Sequence, residues 1–142
     1  MRRPGLRLEV SLYLHATEDE EKVMRSVEEA LGIPRSDFYV SRASGHYGNP
    51  VTIFRAILEG ERALEALGRL VARMDEGERR ALGHYAREAV DERGRVYIRL
   101  DKQGLVLGKV RIGRRDPVEL VISSPRRDEP LSELMRLLGD LE

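Results

Sequence analysis

The chain has 142 residues, 41% of them hydrophobic and 35% charged, with 25 Lys+Arg balancing 25 Asp+Glu. This predicts one folded domain over residues 1–142, and the zero net charge excludes a uniformly basic coat, so a nucleic-acid contact must be a local patch. Cysteine is absent, which excludes a disulfide framework, a thiol nucleophile and a Cys-based metal site, and no apolar run approaches the roughly 18 residues of a membrane span.

The start, Met1-Arg2-Arg3-Pro4, carries no signal-peptide core, and a cytoplasmic protein is expected. Asn49 and Gln103 are the only side-chain amides, and Lys22, Lys102 and Lys109 the only lysines. Few thermolabile residues and many charges of both signs suit a hyperthermophile.

Leu6, Leu8, Val10, Leu12 and Leu14 alternate with Arg7, Glu9, Ser11 and Tyr13, the period of a half-buried strand. Thr17 to Glu20 reads as a capping box for a helix with Val23, Met24, Val27, Ala30 and Leu31 on one face. Gly32 and Pro34 stop that helix. Strands over 37–42 and 51–58 flank Gly45-His46-Tyr47-Gly48-Asn49-Pro50. Two glycines and an Asn-Pro step make this a turn, and loop tips carried by a rigid scaffold are where binding residues concentrate.

A second helix uses Leu64, Leu67, Leu70, Val71 and Met74; a break at Met74 to Gly77 leads to a third, ending near Asp91. Val96, Ile98 and Leu100 alternate with Arg95, Tyr97 and Arg99 as a strand. Two more strands are read at 107–112 and 118–122, with Gly113 to Pro117 as their turn. After the polar loop Ser123 to Pro130, a Leu-rich helix covers about 131–141, with Leu131, Leu134, Met135, Leu138 and Leu141 inward.

The expected fold is α+β, in the order β-α-β-β-α-α-β-β-β-α. It is a two-layer sandwich in which helices cover one face of a mixed sheet of about six strands. The crossover rule sends the first two strands in the same direction. Following the chain from there gathers His15, His46, Tyr47, Asn49, Lys102, Gln103, Arg126 and Arg127 at one edge, the carboxyl end of the first strand.

Three segments, His15-Ala16-Thr17-Glu18-Asp19, Gly45 to Pro50, and Arg99-Leu100-Asp101-Lys102-Gln103 followed by Leu107-Gly108, carry a resemblance. In order and spacing they resemble the signature of a small archaeal family of predicted RNA-binding proteins, also described as exosome-associated subunits. The resemblance runs from about Leu6 to Ile122, and Gly104 stands where a small residue such as Ala is expected. It implies a fold similar to the ribosomal protein that contacts 5S rRNA, and a role with RNA. It implies no catalytic residue.

Each candidate residue has a functional and a structural reading. Tyr47 could stack on a base and His46 could hydrogen-bond a phosphate or base edge; alternatively the ring packs on the sheet edge and the imidazole caps a strand. Asn49 reads as a turn former or a polar contact. Lys102 is the leading phosphate contact, or else the partner of Asp101 or a helix carboxylate. Gln103 reads a base or ribose hydroxyl, or satisfies loop backbone. Arg95, Tyr97 and Arg99 form a stacking face or a ladder of ion pairs, the commoner outcome. Arg111, Arg114, Arg115, Arg126 and Arg127 supply basic loops, usually solvated surface. His15 and His84 read as structural.

No HExxH, P-loop or Gly-x-Ser-x-Gly motif occurs, and a metal held by His15 and His46 is a weak alternative. The sequence therefore predicts a non-catalytic, cofactor-free and metal-free protein that binds structured RNA through His46, Tyr47, Asn49, Arg99, Lys102, Gln103 and Arg127. It would act as an accessory factor in RNA processing or degradation. The further candidate partners are an RNA-processing complex and a second copy of the chain; a membrane is not one. Two rival readings are a protein-interaction subunit docking through the last helix or an unpaired strand, and an enzyme or small-anion binder centred on His46 and Lys102.

Overall fold

The computed structural model describes residues 5–45 and 48–139. His46 and Tyr47 therefore lie outside the described residues, as does Leu141. Strand β1 (Arg7–His15) leads through α1 (Glu20–Leu31) and a short 3-10 turn to the hairpin β2 (Tyr39–Ser44) and β3 (Pro50–Glu59). Helices α2 (Glu61–Ala72) and α3 (Glu76–Glu88) follow, then β4 (Val96–Leu100), the short α4 (Lys102–Val106), β5 (Val118–Ser123) and α5 (Glu129–Gly139).

Among the described residues the strands form one five-stranded sheet in the order β2-β3-β1-β5-β4. Every pairing is antiparallel. This corrects the expected mixed sheet of six strands. The α+β class, the helices on one face and the parallel sense of β1 and β2 agree with expectation, because β3 lies between them.

The missing strand is 107–112. Residues 102–106 coil into α4, Leu107 closes that helix with its N–H on Gly104 O at 3.0 Å, and only Ile112 reaches the sheet, as a bridge to Leu100. With one pass removed, β5 runs down rather than up. Ser123 then lies opposite Arg7 at the lower end, and Arg126 and Arg127 follow it there. The expectation that Arg127 joins Lys102 at the upper edge is thus overturned by strand parity. A Cβ on Gly94, which precedes the lower end of β4, would stand 1.9 Å from the Arg127 carbonyl oxygen, which fixes the same end.

Alternation explains why the sheet has one covered face. Leu8, Val10, Leu12 and Leu14 are buried, as are Phe54, Ala56, Leu58, Ile98, Leu120 and Ile122. The helices close over them with Val27, Leu31, Leu67, Leu70, Leu82 and Leu134 to make one core, each large side chain contributing about 1.5–3 kcal/mol by leaving water. Phe38 meets the Phe54 ring edge-on at 6.3 Å. The N-cap of α1 is Asp19, which accepts from Lys22 N–H, rather than Thr17. Gly32 ends α1 in the left-handed region, φ 73°, with its N–H on Glu28 O. Among the described residues no helix is long and apolar enough to cross a membrane.

Two glycines give opposite expectations. Gly94→Ala adds a Cβ into the Arg127 backbone at φ +81° and should cost at least about 1–3 kcal/mol. Gly68→Ala, inside α2 with Leu137 at an ordinary 3.9 Å, should gain roughly 0.5–1 kcal/mol. Denaturant midpoints of the two variants test both signs.

Candidate nucleic-acid interface

The upper edge is organised by Lys102, the first residue of α4. Its side chain is 1% exposed, and the ammonium donates to Tyr13 O at 2.7 Å, Glu18 Oε1 at 2.8 Å and Asp116 Oδ2 at 2.7 Å. Three N–H bonds meet three acceptors, so no donor is left for a phosphate. This corrects the expectation of an exposed phosphate contact: the partner is a carboxylate, though neither Asp101 nor a helix residue. Asp101 instead accepts from Arg111 Nε at 2.9 Å.

The geometry follows from the strands. Beside β5, the pairing of β1 stops at Ser11, and Lys102 supplies the donor that Tyr13 O would otherwise lack. Glu18 Oε1 also accepts the His15 N–H at 2.9 Å, and Glu18 Oε2 accepts from Gln103 Nε2 at 3.0 Å. His15 Nε2 lies 2.9 Å from Asp116 Oδ2. Asp116 holds a left-handed backbone, φ 46°, which Asp tolerates better than most residues. His15, Glu18 and Asp116 offer ligand atoms within 4.8 Å of one another, but the cation among these acids is already Lys102. His15 is held here by Asp116 through its ring and by Glu18 through its N–H. Gln103 is engaged through its amide, yet remains exposed at the surface.

Arg95, Tyr97 and Arg99 do share the uncovered face of β4, mostly as ion pairs. Arg95 Nε donates to Asp91 Oδ2 at 2.7 Å, and Arg99 Nε to Glu119 Oε2 at 3.1 Å. Burial pushes the Asp91 carboxyl up, but hydrogen bonds from Arg95, the Arg93 N–H and Tyr97 outweigh it and hold the group at about 2. The Tyr97 phenol is raised, by burial first and then by its bond to Asp91.

Cross-strand register maps the whole uncovered face. One row reads Tyr39, Arg55, Ser11, Glu119, Arg99; the row below reads Ile57, Glu9, Val121, Tyr97. Above Tyr39 come Ser41, Ile53 and Tyr13, then Ala43, Val51 and His15. The lower rows tie their charges together, with Arg55 Nε on Glu9 Oε2 at 2.8 Å. The two upper rows contain no carboxylate, and Tyr13 and Tyr39 are 54% and 74% exposed. This aromatic corner adjoins the Gly45–Pro50 hairpin, where exposed Asn49 accepts the Gly45 N–H on its backbone oxygen at 2.6 Å.

Thus Asn49 and Gln103 share the upper edge, Arg99 lies on the open face one strand beyond β5, Lys102 lies beneath the surface and Arg127 lies at the far end. Tyr13 and Tyr39, exposed on this face, were not singled out from the sequence. The available signal was an aromatic in the outward phase of each strand, next to Ser11 and Ser41. Glu18 and Asp116 gave no comparable signal, because their role needs Lys102 brought from a distant segment. Of the two rival docking surfaces, the last helix shows no bare apolar patch among the described residues, since α5 buries Leu134 and Leu138 against the helix layer, whereas a strand unpaired on its outer side is present as β2.

A family model described as RNA binding matches residues 7–124. The chain belongs to this RNA-binding family. The family match spans all five strands, so it takes in the aromatic corner and the Lys102 network together. RNA-binding protein PAB1135 of Pyrococcus abyssi is 33% identical over 116 residues, covering 78% of this chain and 75% of that protein. Mth689 of Methanothermobacter thermautotrophicus, a DUF54 protein, superimposes with TM-score 0.70 at 28% identity, over 93% of this chain and 96% of its own. SSO0741 of Sulfolobus solfataricus shares the fold, with TM-score 0.76 at 22% identity, over 96% and 99% of the two chains.

Two measurements test this anatomy. Lys102→Met strands Glu18 and Asp116 and should cost about 3 kcal/mol in a urea unfolding curve, a loss of stability rather than of a surface contact. For Asp91, a folded value of about 2 lies below the ordinary 3.8. Its contribution is therefore complete above about pH 3.8 and lost as pH falls toward 2, and NMR titration of the carboxyl in wild type should show it still ionised at pH 3.

Proposed function

We propose that the chain binds RNA without catalysing a reaction, using the aromatic corner of the open sheet face. The observation that carries this reading is the pair of exposed tyrosines: Tyr13 in the two upper rows, which hold no carboxylate, and Tyr39 at the β2 end of the row below, beside Arg55. Bases offer π-faces to such rings, and a nearby carboxylate would repel the phosphates. Arg55 borders the corner and Arg99 lies farther along the same row, beyond Glu119, while Asn49 and Gln103 stand above it with polar groups for base edges or ribose hydroxyls. His46 and Tyr47, which follow Gly45 in the sequence and lie outside the described residues, extend the same proposal.

Stacking requires unpaired bases. The RNA would thus be a structured molecule that presents them in a loop or bulge, since a continuous duplex keeps its bases stacked inside. With the charges of the lower rows already paired and no net charge on the chain, few phosphates are engaged. An accessory place in RNA processing or degradation, beside a complex such as the exosome, fits a binder of this kind. So does a fold akin to the 5S-rRNA-binding ribosomal protein.

Fluorescence binding to a hairpin RNA with an unpaired loop, and to a blunt duplex of equal length, tests the reading. Tyr13→Ala and Tyr39→Ala should each weaken hairpin binding by about 1–3 kcal/mol, with the duplex bound poorly by all three proteins. Two or three phosphate contacts imply a slope of log K against log salt of only about −1.4 to −2. Equal binding of duplex and hairpin, unchanged by both substitutions, would refute it.

A further inference from the structure

We propose that β2 is an assembly edge, pairing antiparallel with β2 of a second copy to make one continuous ten-stranded sheet. The sheet has two edges, and they are built differently. The β4 edge is occupied at both ends, by the Val90–Val96 and Leu100–Ile112 bridges. Among the described residues nothing pairs with β2 beyond β3, and all six of its residues are exposed. An open edge of this kind is a template for another strand.

The ladder fixes which backbone groups are free. The Gly45 N–H bonds Asn49 O, marking Gly45 and Asn49 as a hydrogen-bonded pair. Such pairs alternate along an antiparallel ladder, so Ala43, Ser41 and Tyr39 direct their backbone groups at β3 through Val51, Ile53 and Arg55. Val40, Arg42 and Ser44 then direct theirs outward.

Self-complementarity selects the occupant and the register. Centring the two-fold on Ser41 places Val40 opposite Arg42 of the second copy, and Arg42 opposite its Val40. These two hydrogen-bonded pairs supply four backbone bonds. Val40, a 45% exposed apolar residue, gains the aliphatic stem of Arg42 as cover. On the open face Tyr39 falls beside Ala43, whose small side chain leaves room for the ring. Shifting the centre to Arg42 sets two guanidiniums face to face, a destabilising pair. Shifting it to Val40 leaves one hydrogen-bonded pair within the strand.

The pairing stands on strand geometry alone; its consequence rests on the proposed function. It would join two open faces, bringing the Tyr39 and Tyr13 corners of both copies onto one surface around the two-fold axis. A single RNA could then be held at two adjacent corners, with a gain in avidity that one copy lacks.

The test uses the whole chain without RNA, so that failure of the dimer is separable from failure of RNA binding. Light scattering behind size exclusion should give twice the 16.2 kDa chain mass as concentration rises. Arg42→Pro removes an outward N–H from each copy, two of the four bonds, while sparing the bonds to β3; it should yield a monomer with unchanged circular dichroism. Because the chain has no cysteine, Ser41→Cys gives a clean probe: the two Ser41 face each other in a non-hydrogen-bonded pair about 4.5 Å apart, within disulfide reach. Oxidation should cross-link Ser41→Cys and leave Ala43→Cys largely uncross-linked. A wild-type monomer at all concentrations would overturn the proposal. So would a dimer that survives Arg42→Pro and does not cross-link through Ser41→Cys.

Discussion

A single ammonium group joins two stretches that are distant in sequence, residues 13–18 and residues 102–116. Lys102 begins α4, bonds the end of β1 through Tyr13 O, takes the loop before α1 through Glu18, and takes the turn before β5 through Asp116. Buried charge is costly unless its hydrogen bonds are complete, and here they are. The same lysine therefore ties together the loop before α1, the end of β1 beyond its pairing with β5, and the turn before β5. Tyr13 presents its ring outward while its carbonyl is held from below.

The second constraint is that all the helices lie on one face. A five-stranded sheet covered on one side leaves a face that must be made polar or put to use. Its lower rows take the first course, with Arg55–Glu9 and Arg99–Glu119 tying the strands together. Its upper corner carries exposed Tyr13, with Tyr39 at the edge of the row below, and that corner is what the proposed RNA binding puts to use. That division, rather than net charge, is what the proposed RNA surface of a neutral chain rests on.

The sequence shows which parts of such a fold are readable. The alternation of β1, β4 and β5 and the amphipathic α1, α2 and α3 are local patterns, and they place the covered face correctly. Val110 and Ile112 also alternate with Lys109 and Arg111, yet the first residue of that expected strand, Leu107, closes a helix and its last makes only one bridge. Period alone does not reveal whether a partner strand has room. That one strand inverted the direction of β5 and carried Arg127 to the wrong end. Lys102 was singled out for its rarity, correctly as a key residue and wrongly as an exposed one, because its acceptors come from residues 13, 18 and 116.

The claim that most needs testing is that RNA lies on the open face. Hairpin RNA carrying a photoactivatable uridine in its loop, irradiated on the protein and read by peptide mass spectrometry, addresses it directly. Cross-links confined to the peptides bearing Tyr13, Tyr39 and the 45–50 hairpin would place the base on the aromatic corner. Cross-links concentrated on α2, α3 or α5 would place the RNA on the helix layer and contradict the account.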